Sequence, residues 1–211
     1  MVSTVSALRR RNGLLIIVSA PSGTGKTTVC DALLADMPEL RRSVSFTTRP
    51  PRKGEREGEH YHFVANEQFK RELDRGNFVE WAEVHGNLYG TPRDFIDRRM
   101  RASKDTVLVI DVQGARSIKN LFPEAVLIFL LPPSLAELKR RLKMRAYGRN
   151  EDVGLRLRNA LAEFSCYPTY DYLVVNDDVA KAASVLRGII MAERHRANRL
   201  RFPADPDTKT R

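Results

Sequence analysis

A short apolar run, residues 14–19, leads directly into Ala20-Pro21-Ser22-Gly23-Thr24-Gly25-Lys26-Thr27-Thr28. Glycines in such a loop let successive backbone N–H groups turn inward around a phosphate, and a helix starting near Lys26 adds the positive end of its dipole. Lys26 is then placed to reach β- and γ-phosphates, and the Thr27 hydroxyl to ligate Mg²⁺. Residues 20–28 therefore predict an ATP site. Ala20 stands where the G-x-x-x-x-G-K-[ST] pattern has its first glycine. An alanine fits that turn provided its φ stays negative. The loop specifies a nucleoside triphosphate and leaves the reaction open.

Three further apolar runs, 106–110, 126–131 and 172–175, have the unbroken character of strands buried on both faces of a parallel sheet. Helical periods lie between them. Ser134 is placed to cap a helix with Leu135, Leu138 and Leu142 on one stripe. Asn150 can cap another, with Glu151 and Asp152 in its first turn and Val153, Leu157, Ala160, Leu161 and Phe164 at helical spacing. This alternation predicts a three-layer α/β fold around a parallel core sheet. Asp111, after the run 107–110, falls on the edge where such sheets bind ligands.

Residues 43–93 are too many for one crossover helix and read as a small lobe inserted into the core sheet. Asn66 can cap a short helix carrying Phe69 and Leu73, ended by Gly76, and 78–84 reads as a strand. The lobe contains Ser45-Phe46-Thr47-Thr48-Arg49-Pro50-Pro51-Arg52, then Gly58-Glu59-His60-Tyr61, Phe78-Val79-Glu80-Trp81 and Tyr89-Gly90-Thr91. In this set and order the chain resembles the guanylate kinase family, over nearly everything from residue 14 to 178. Arg49 and Arg52 can clamp a monophosphate dianion, with the hydroxyls of Tyr61 and Tyr89 as further donors. In an alternating strand Glu80 shares a face with Phe78 and Ala82. Guanine presents N1–H and its exocyclic amine as adjacent donors that one carboxylate accepts together. Adenine offers an acceptor at N1 and has no 2-amino group, a mismatch worth discrimination of roughly 10⁴.

The resemblance implies more. It implies a three-layer P-loop kinase fold with an inserted GMP-binding lobe and a short helical lid. The core would take about 13–42, 94–138 and 158–200, the lobe about 43–93, the lid about 139–157, and 203–211 would be a loose tail. By resemblance Glu80 reads guanine, helped by Asp111 and Ser45, while Thr91 and the Gly90 backbone complete the pocket. Arg141, Arg145 and Arg156 close over the phosphates, and Asn176 of Asn176-Asp177-Asp178 contacts the donor base. The implied reaction is ATP + GMP giving ADP + GDP with Mg²⁺, with dGMP as a further acceptor. Two departures stand out: the lid turn reads Arg145-Ala146-Tyr147-Gly148-Arg149, which gives Arg149 a possible lid role, and Val109 replaces an acid two residues before Asp111. The alternative is a non-catalytic scaffold domain of the same fold that binds phosphorylated peptides. Such domains lose the loop lysine and lid arginines, which this chain has.

Composition fits anionic ligands without naming them. The formal net charge is +10, with 27 arginines against 9 lysines, and arginine's planar fork matches pairs of phosphate oxygens. No nucleic-acid module accompanies that charge. Cys30 and Cys166 lack metal-ligand spacing and read as reduced core thiols, and His60, His62, His85 and His195 lack triad or metal spacing. No targeting segment is evident and the run 14–18 is too short to span a membrane, so the expected location is cytoplasmic. Oligomeric state stays open.

Overall fold

The computed structural model describes residues 9–10, 13–52, 54–84, 86–146 and 152–201. In chain order the elements are β1 (Arg9–Arg10), β2 (Leu15–Ser19), α1 (Lys26–Asp36), β3 (Arg41–Arg42), β4 (Ser45–Thr47), β5 (Tyr61–Phe63) and α2 (Asn66–Asp74). Next come β6 (Phe78–Val84), β7 (Asn87–Pro92), α3 (Arg93–Arg101), β8 (Thr106–Val109), α4 (Val112–Leu121), β9 (Val126–Leu131) and α5 (Leu135–Ala146). The last are α6 (Val153–Phe164), β10 (Tyr172–Val175), α7 (Val179–Arg194) and β11 (Leu200–Arg201).

The core sheet is parallel throughout, in the order β10-β9-β2-β8-β3. β2 is central and all five of its residues are buried, as an unbroken apolar run requires. The four expected core strands are present. A fifth, β3, is two arginines long, and no apolar run could have revealed it. On one face of the sheet, Val29, Cys30 and Leu33 of α1 pack with Ala182, Leu186 and Ile190 of α7. On the other, Ile96 of α3 and Ala115 and Ile118 of α4 complete the second apolar layer. This is the three-layer α/β architecture.

Helices α5 and α6 pair through Leu138, Leu142 and Ala160, with Val153, Leu157 and Phe164 packed around them. Ser134 caps α5, its Oγ accepting from the Glu137 N–H at 3.1 Å. Two details of the expected helices change. Leu135 is 55% exposed and off the buried stripe. Asp152, not a residue inside the first turn, caps α6 by accepting from the N–H groups of Gly154 and Leu155. Asn150, the expected cap, lies outside the described residues, as do His85, the turn 147–150 and the tail 203–211.

Residues 45–92 supply a second sheet, ordered β5-β4-β7-β6. One face carries Phe46, His62 and Phe78 and is covered by Phe69 of α2, with the Phe69 and Phe78 rings 4.6 Å apart. Ala65 is the N-terminal cap residue of α2, without a side-chain bond, so Asn66 is inside the helix and not its cap. The opposite face presents Ser45, Tyr61, Tyr89, Thr91 and Glu80 toward the core, by the pairings Ser45↔Tyr61, Thr47↔Tyr89 and Glu80↔Thr91. A β-bulge between Phe78 and Glu80 inserts the extra residue that separates them. Glu80 thus shares its face with Ala82 but not with Phe78. Strict alternation failed at that one step.

Candidate functional site

A cleft of about 530 Å³ separates the carboxyl edge of the core sheet from the lobe. From the core it is lined by Ala20, Pro21, Ser22, Gly23, Gly25, Lys26, Thr27, Thr28 and Asp111, and from the lobe by Ser45, Arg52, Tyr61, Glu80 and Tyr89. Its size suits a nucleotide-sized ligand.

The loop is shaped by two left-handed glycines, Gly23 at φ 89 and Gly25 at φ 93. Space demands glycine there as well. A Cβ on Gly25 would lie 2.6 Å from Asn176 Nδ2, and one on Gly23 would press on Leu142 at 3.0 Å. Ala20 is 5% exposed and is not among the residues with positive φ, so its methyl group is accommodated. Lys26 opens α1 behind the Gly25 cap and donates to the Ile110 carbonyl at 2.7 Å. Burial lowers its proton affinity, and the charges of Asp111 and Glu163 oppose that shift. Thr27 and Thr28 are exposed to the cleft.

Arg49 is 8% exposed and held on every side. Its Nη1 and Nη2 donate to the two oxygens of Glu55 at 2.9 and 3.0 Å, and its Nε donates to the Tyr89 hydroxyl at 3.2 Å. Its guanidinium lies 5.4 Å from the Tyr61 ring centroid. Burial pushes the Glu55 carboxyl up, but bonds from Arg49 and from the Arg52 N–H (2.7 Å) outweigh it and keep the group below its ordinary range. Burial lowers the proton affinity of Arg52, and so do the nearby charges of Arg49 and, from α6, Arg156. Arg52 thus feels two further guanidinium charges, and a bound anion would relieve that repulsion.

Glu80 is 8% exposed and accepts from the Thr91 hydroxyl. Burial pushes its carboxyl up to about 7, the Thr91 bond acts against this and the Asp111 charge adds to it. Asp111 caps α4 through Oδ1, which accepts from Gln113 N at 2.7 Å and Gly114 N at 3.1 Å. Gly114 lets α4 approach Glu80, because a Cβ there would stand 2.7 Å from Glu80 Oε2. Gly114→Ala should therefore displace the carboxylate and raise KM for the lobe's ligand about tenfold or more, while KM for the triphosphate stays within about twofold. Separate KM measurements for the two substrates check this.

The family model for guanylate kinase matches residues 12–193. The chain belongs to the guanylate kinase family. A guanylate kinase of Symbiobacterium thermophilum is 47% identical over 187 residues, covering 89% of each chain. One of Caldanaerobacter subterraneus subsp. tengcongensis is 44% identical over 190 residues, 90% of this chain and 92% of that one. Among solved structures, the crystal structure of guanylate kinase from Anaplasma phagocytophilum superposes with a TM-score of 0.78 at 36% identity, covering 92% of both chains.

Several family positions sit differently from expectation. Asn176 is 3% exposed and outside the cleft lining; its amide donates to the Thr24 carbonyl at 2.7 Å and so braces the loop. Arg141 joins that brace, donating to the Thr24 carbonyl at 3.0 Å and to the Asn176 carbonyl at 3.3 Å, with Glu137 holding its Nε at 2.7 Å. Thr24, Arg49, Gly90 and Thr91 are buried behind the cleft surface. Gly90 faces away from the cleft, and a Cβ on it would strike Phe78 at 2.9 Å and Phe69 at 3.0 Å. The side chain of Arg145, and all of Arg149, lie outside the described residues. Glu55, Gly114 and Glu163 belong to the site but carried no motif that isolated them. Glu55 sits in a charged run, Gly114 alone in a helix, and Glu163 beside an apolar stripe. His62 pairs with Glu57 at 2.9 Å and His195 with the Met191 carbonyl at 2.7 Å, as structural residues do.

Proposed function

We propose that this chain transfers the γ-phosphoryl group of ATP to GMP, and to dGMP, giving ADP and GDP or dGDP. One observation carries the proposal: the phosphate loop and a buried carboxylate suited to guanine face the same cleft, with Arg52 of the lobe lining it as well. In this reading ATP lies on residues 20–28, with Lys26 leaving the Ile110 carbonyl for the β- and γ-phosphates. GMP lies on the lobe, where Glu80 accepts from N1–H and the 2-amino group and Thr91 fixes its carboxylate. Ser45 and Asp111 flank the base. Arg49 and Arg52, with the Tyr61 and Tyr89 hydroxyls, hold the acceptor phosphate, and Glu55 keeps Arg49 oriented.

In-line transfer needs positioning and positive charge around the moving phosphoryl group, and little covalent help. Lys26 and the lid arginines Arg141, Arg145 and Arg156 supply that charge. Arg141 already touches the loop through Thr24, so lid and loop move as neighbours. Mg²⁺ fits the donor set, because the Thr27 hydroxyl is an exposed oxygen ligand beside Lys26. Among the described residues no cluster of three acidic, His or Cys side chains could hold an ion by itself, so the ion would be completed by phosphate oxygens and water. Bound there, it would neutralise charge between the β- and γ-phosphates. The phosphopeptide-binding alternative is not favoured, since Lys26, Thr27 and Arg141 are all in place. Among the described residues no helix is long and apolar enough to cross a membrane, and a cytoplasmic site beside its nucleotide substrates is the proposed location.

Product analysis tests this directly. Incubation with Mg-ATP and GMP should convert them one-for-one to ADP and GDP by ion-exchange chromatography. ADP without GDP would mean hydrolysis and would remove GMP as the acceptor.

A further inference from the structure

Thr24 stands between the two left-handed glycines of the phosphate loop and is itself fully buried. Its carbonyl takes two donors from outside the loop. The Asn176 side-chain amide donates at 2.7 Å, and Arg141 Nη1 of α5 at 3.0 Å. Arg141 Nη2 also donates to the Asn176 carbonyl at 3.3 Å, so the two donors are tied to each other. Asn176 follows β10 directly, and its own N–H donates to the Leu131 carbonyl of β9 at 2.8 Å. Two residues on, Asp178 caps α7 by accepting from the Lys181 N–H. The side chain therefore springs from backbone held by the core sheet. It packs on the loop so closely that a Cβ on Gly25 would stand 2.6 Å from its Nδ2. Only the NH₂ end of the amide can donate to a carbonyl, which fixes the way the group is turned.

We infer that Asn176 is a positioning residue for the phosphate loop: by holding the Thr24 carbonyl outward it aims the Gly25 N–H at a bound phosphate. The inference rests on the ATP reading of that loop. The Thr24 carbonyl and the Gly25 N–H share one peptide unit, planar and trans, so the two point in opposite directions. Fixing the carbonyl toward Asn176 and Arg141 turns the N–H to the other side of the loop, and Gly25 lines the cleft. With glycine on either side of Thr24 the backbone there could rotate at small cost, so a tether from outside has an orientation to hold. Two donors on one carbonyl also polarise the peptide and strengthen its N–H as a donor. A loop ordered beforehand binds phosphate at lower cost than one that must be ordered on binding. In this role Asn176 acts on the triphosphate through the loop, which differs from the contact with the donor base that the resemblance implies.

The test uses the full isotope-labelled chain and two probes, Mg-ATP and Mg-tripolyphosphate, the second of which has no base. Dissociation constants are read from the Gly25 amide resonance. Asn176→Ala should weaken both probes by the same factor, about fivefold or more, and leave KM for GMP within about twofold. Asn176→Asp keeps the shape but, ionised, has no donor, and should be at least as impaired as alanine. An alanine variant that loses affinity for Mg-ATP alone would make Asn176 a base contact and overturn the inference. So would unchanged affinity for both probes, an aspartate variant that binds as tightly as the unaltered chain, or a KM for GMP that rises as far as the ATP dissociation constant. A second measurement needs no variant. In the unaltered chain the Asn176 side-chain amide and the Gly25 amide should move together on adding Mg-tripolyphosphate. An Asn176 amide that answers to Mg-ATP but not to tripolyphosphate overturns the inference. Failure of the unaltered chain to bind either probe would instead sink the ATP reading of the loop, and the inference with it.

Discussion

Lys26→Ala is expected to lower kcat by about 10²–10³, the range for removing one preorganised group that meets charge developing in a transition state. The fall comes from the position of Lys26, not from its share in the fold. Lys26 lies at the start of α1, and its ammonium donates to the Ile110 carbonyl at 2.7 Å. Burial lowers its proton affinity, and the charges of Asp111 and Glu163 oppose that shift. Lys26→Met keeps the aliphatic stem, and a similar kcat for the two variants would confirm that charge, not packing, is lost. Circular dichroism melting curves should stay close to that of the unaltered chain, because removing a buried charge offsets the lost bond. A kcat within about threefold of the unaltered chain would contradict the role given to the loop.

Glu80→Gln is expected to lower kcat/KM for GMP by about 10²–10³ and to leave KM for ATP nearly unchanged, since an amide can accept from only one of guanine's two donors and opposes the other. The same substitution should stabilise the protein at alkaline pH. The folded Glu80 carboxyl titrates at about 7, above its ordinary value of 4.5. Between those two pH values the native state holds a proton that the unfolded chain releases, so Glu80 makes stability fall as pH rises through that window. Above pH 7 the ionised carboxylate is a net cost, and Glu80→Gln removes it. Thermal denaturation at pH 6 and pH 8 should show a gain for the variant that is larger at pH 8. Activity runs the other way. In the proposed binding mode the ionised form accepts from guanine, so kcat/KM for GMP should decline as pH falls below about 7, and the part of that decline due to Glu80 should vanish in the variant. A residue that costs stability where it is needed for binding marks a functional site.

The elements most legible in the sequence were those governed by local rules. An unbroken apolar run means a strand covered on both faces, and β2, β8, β9 and β10 followed. The glycine-rich loop was legible because phosphate binding leaves few alternatives at Gly23, Gly25 and Lys26. Other features depend on contacts between distant segments, which leave little local trace. β3 is strand only because β8 lies beside it; Arg41-Arg42 carries no pattern of its own. The bulge at Phe78–Glu80 sends Phe78 to the α2 side and Glu80 to the cleft, a choice made by the pairing with Pro92 and Thr91. Glu80 was found because its chemistry suits guanine, although the strand argument for its direction was incomplete. Gly114 looks like any helical glycine until Glu80 is seen against it. Glu163 reads as a solvent-facing residue until it is seen to line the cleft. Asn176 belongs to a family motif, yet its amide is turned to the Thr24 carbonyl.

The most direct test of GMP as acceptor is the rate of ADP release with Mg-ATP across GMP, dGMP, AMP, CMP and UMP. GMP should lead, dGMP should be used, and kcat/KM for GMP should exceed that for AMP by roughly 10³ or more, as a buried carboxylate matched to guanine demands. Equal use of AMP, activity confined to a pyrimidine acceptor, or no ADP release with GMP would contradict it.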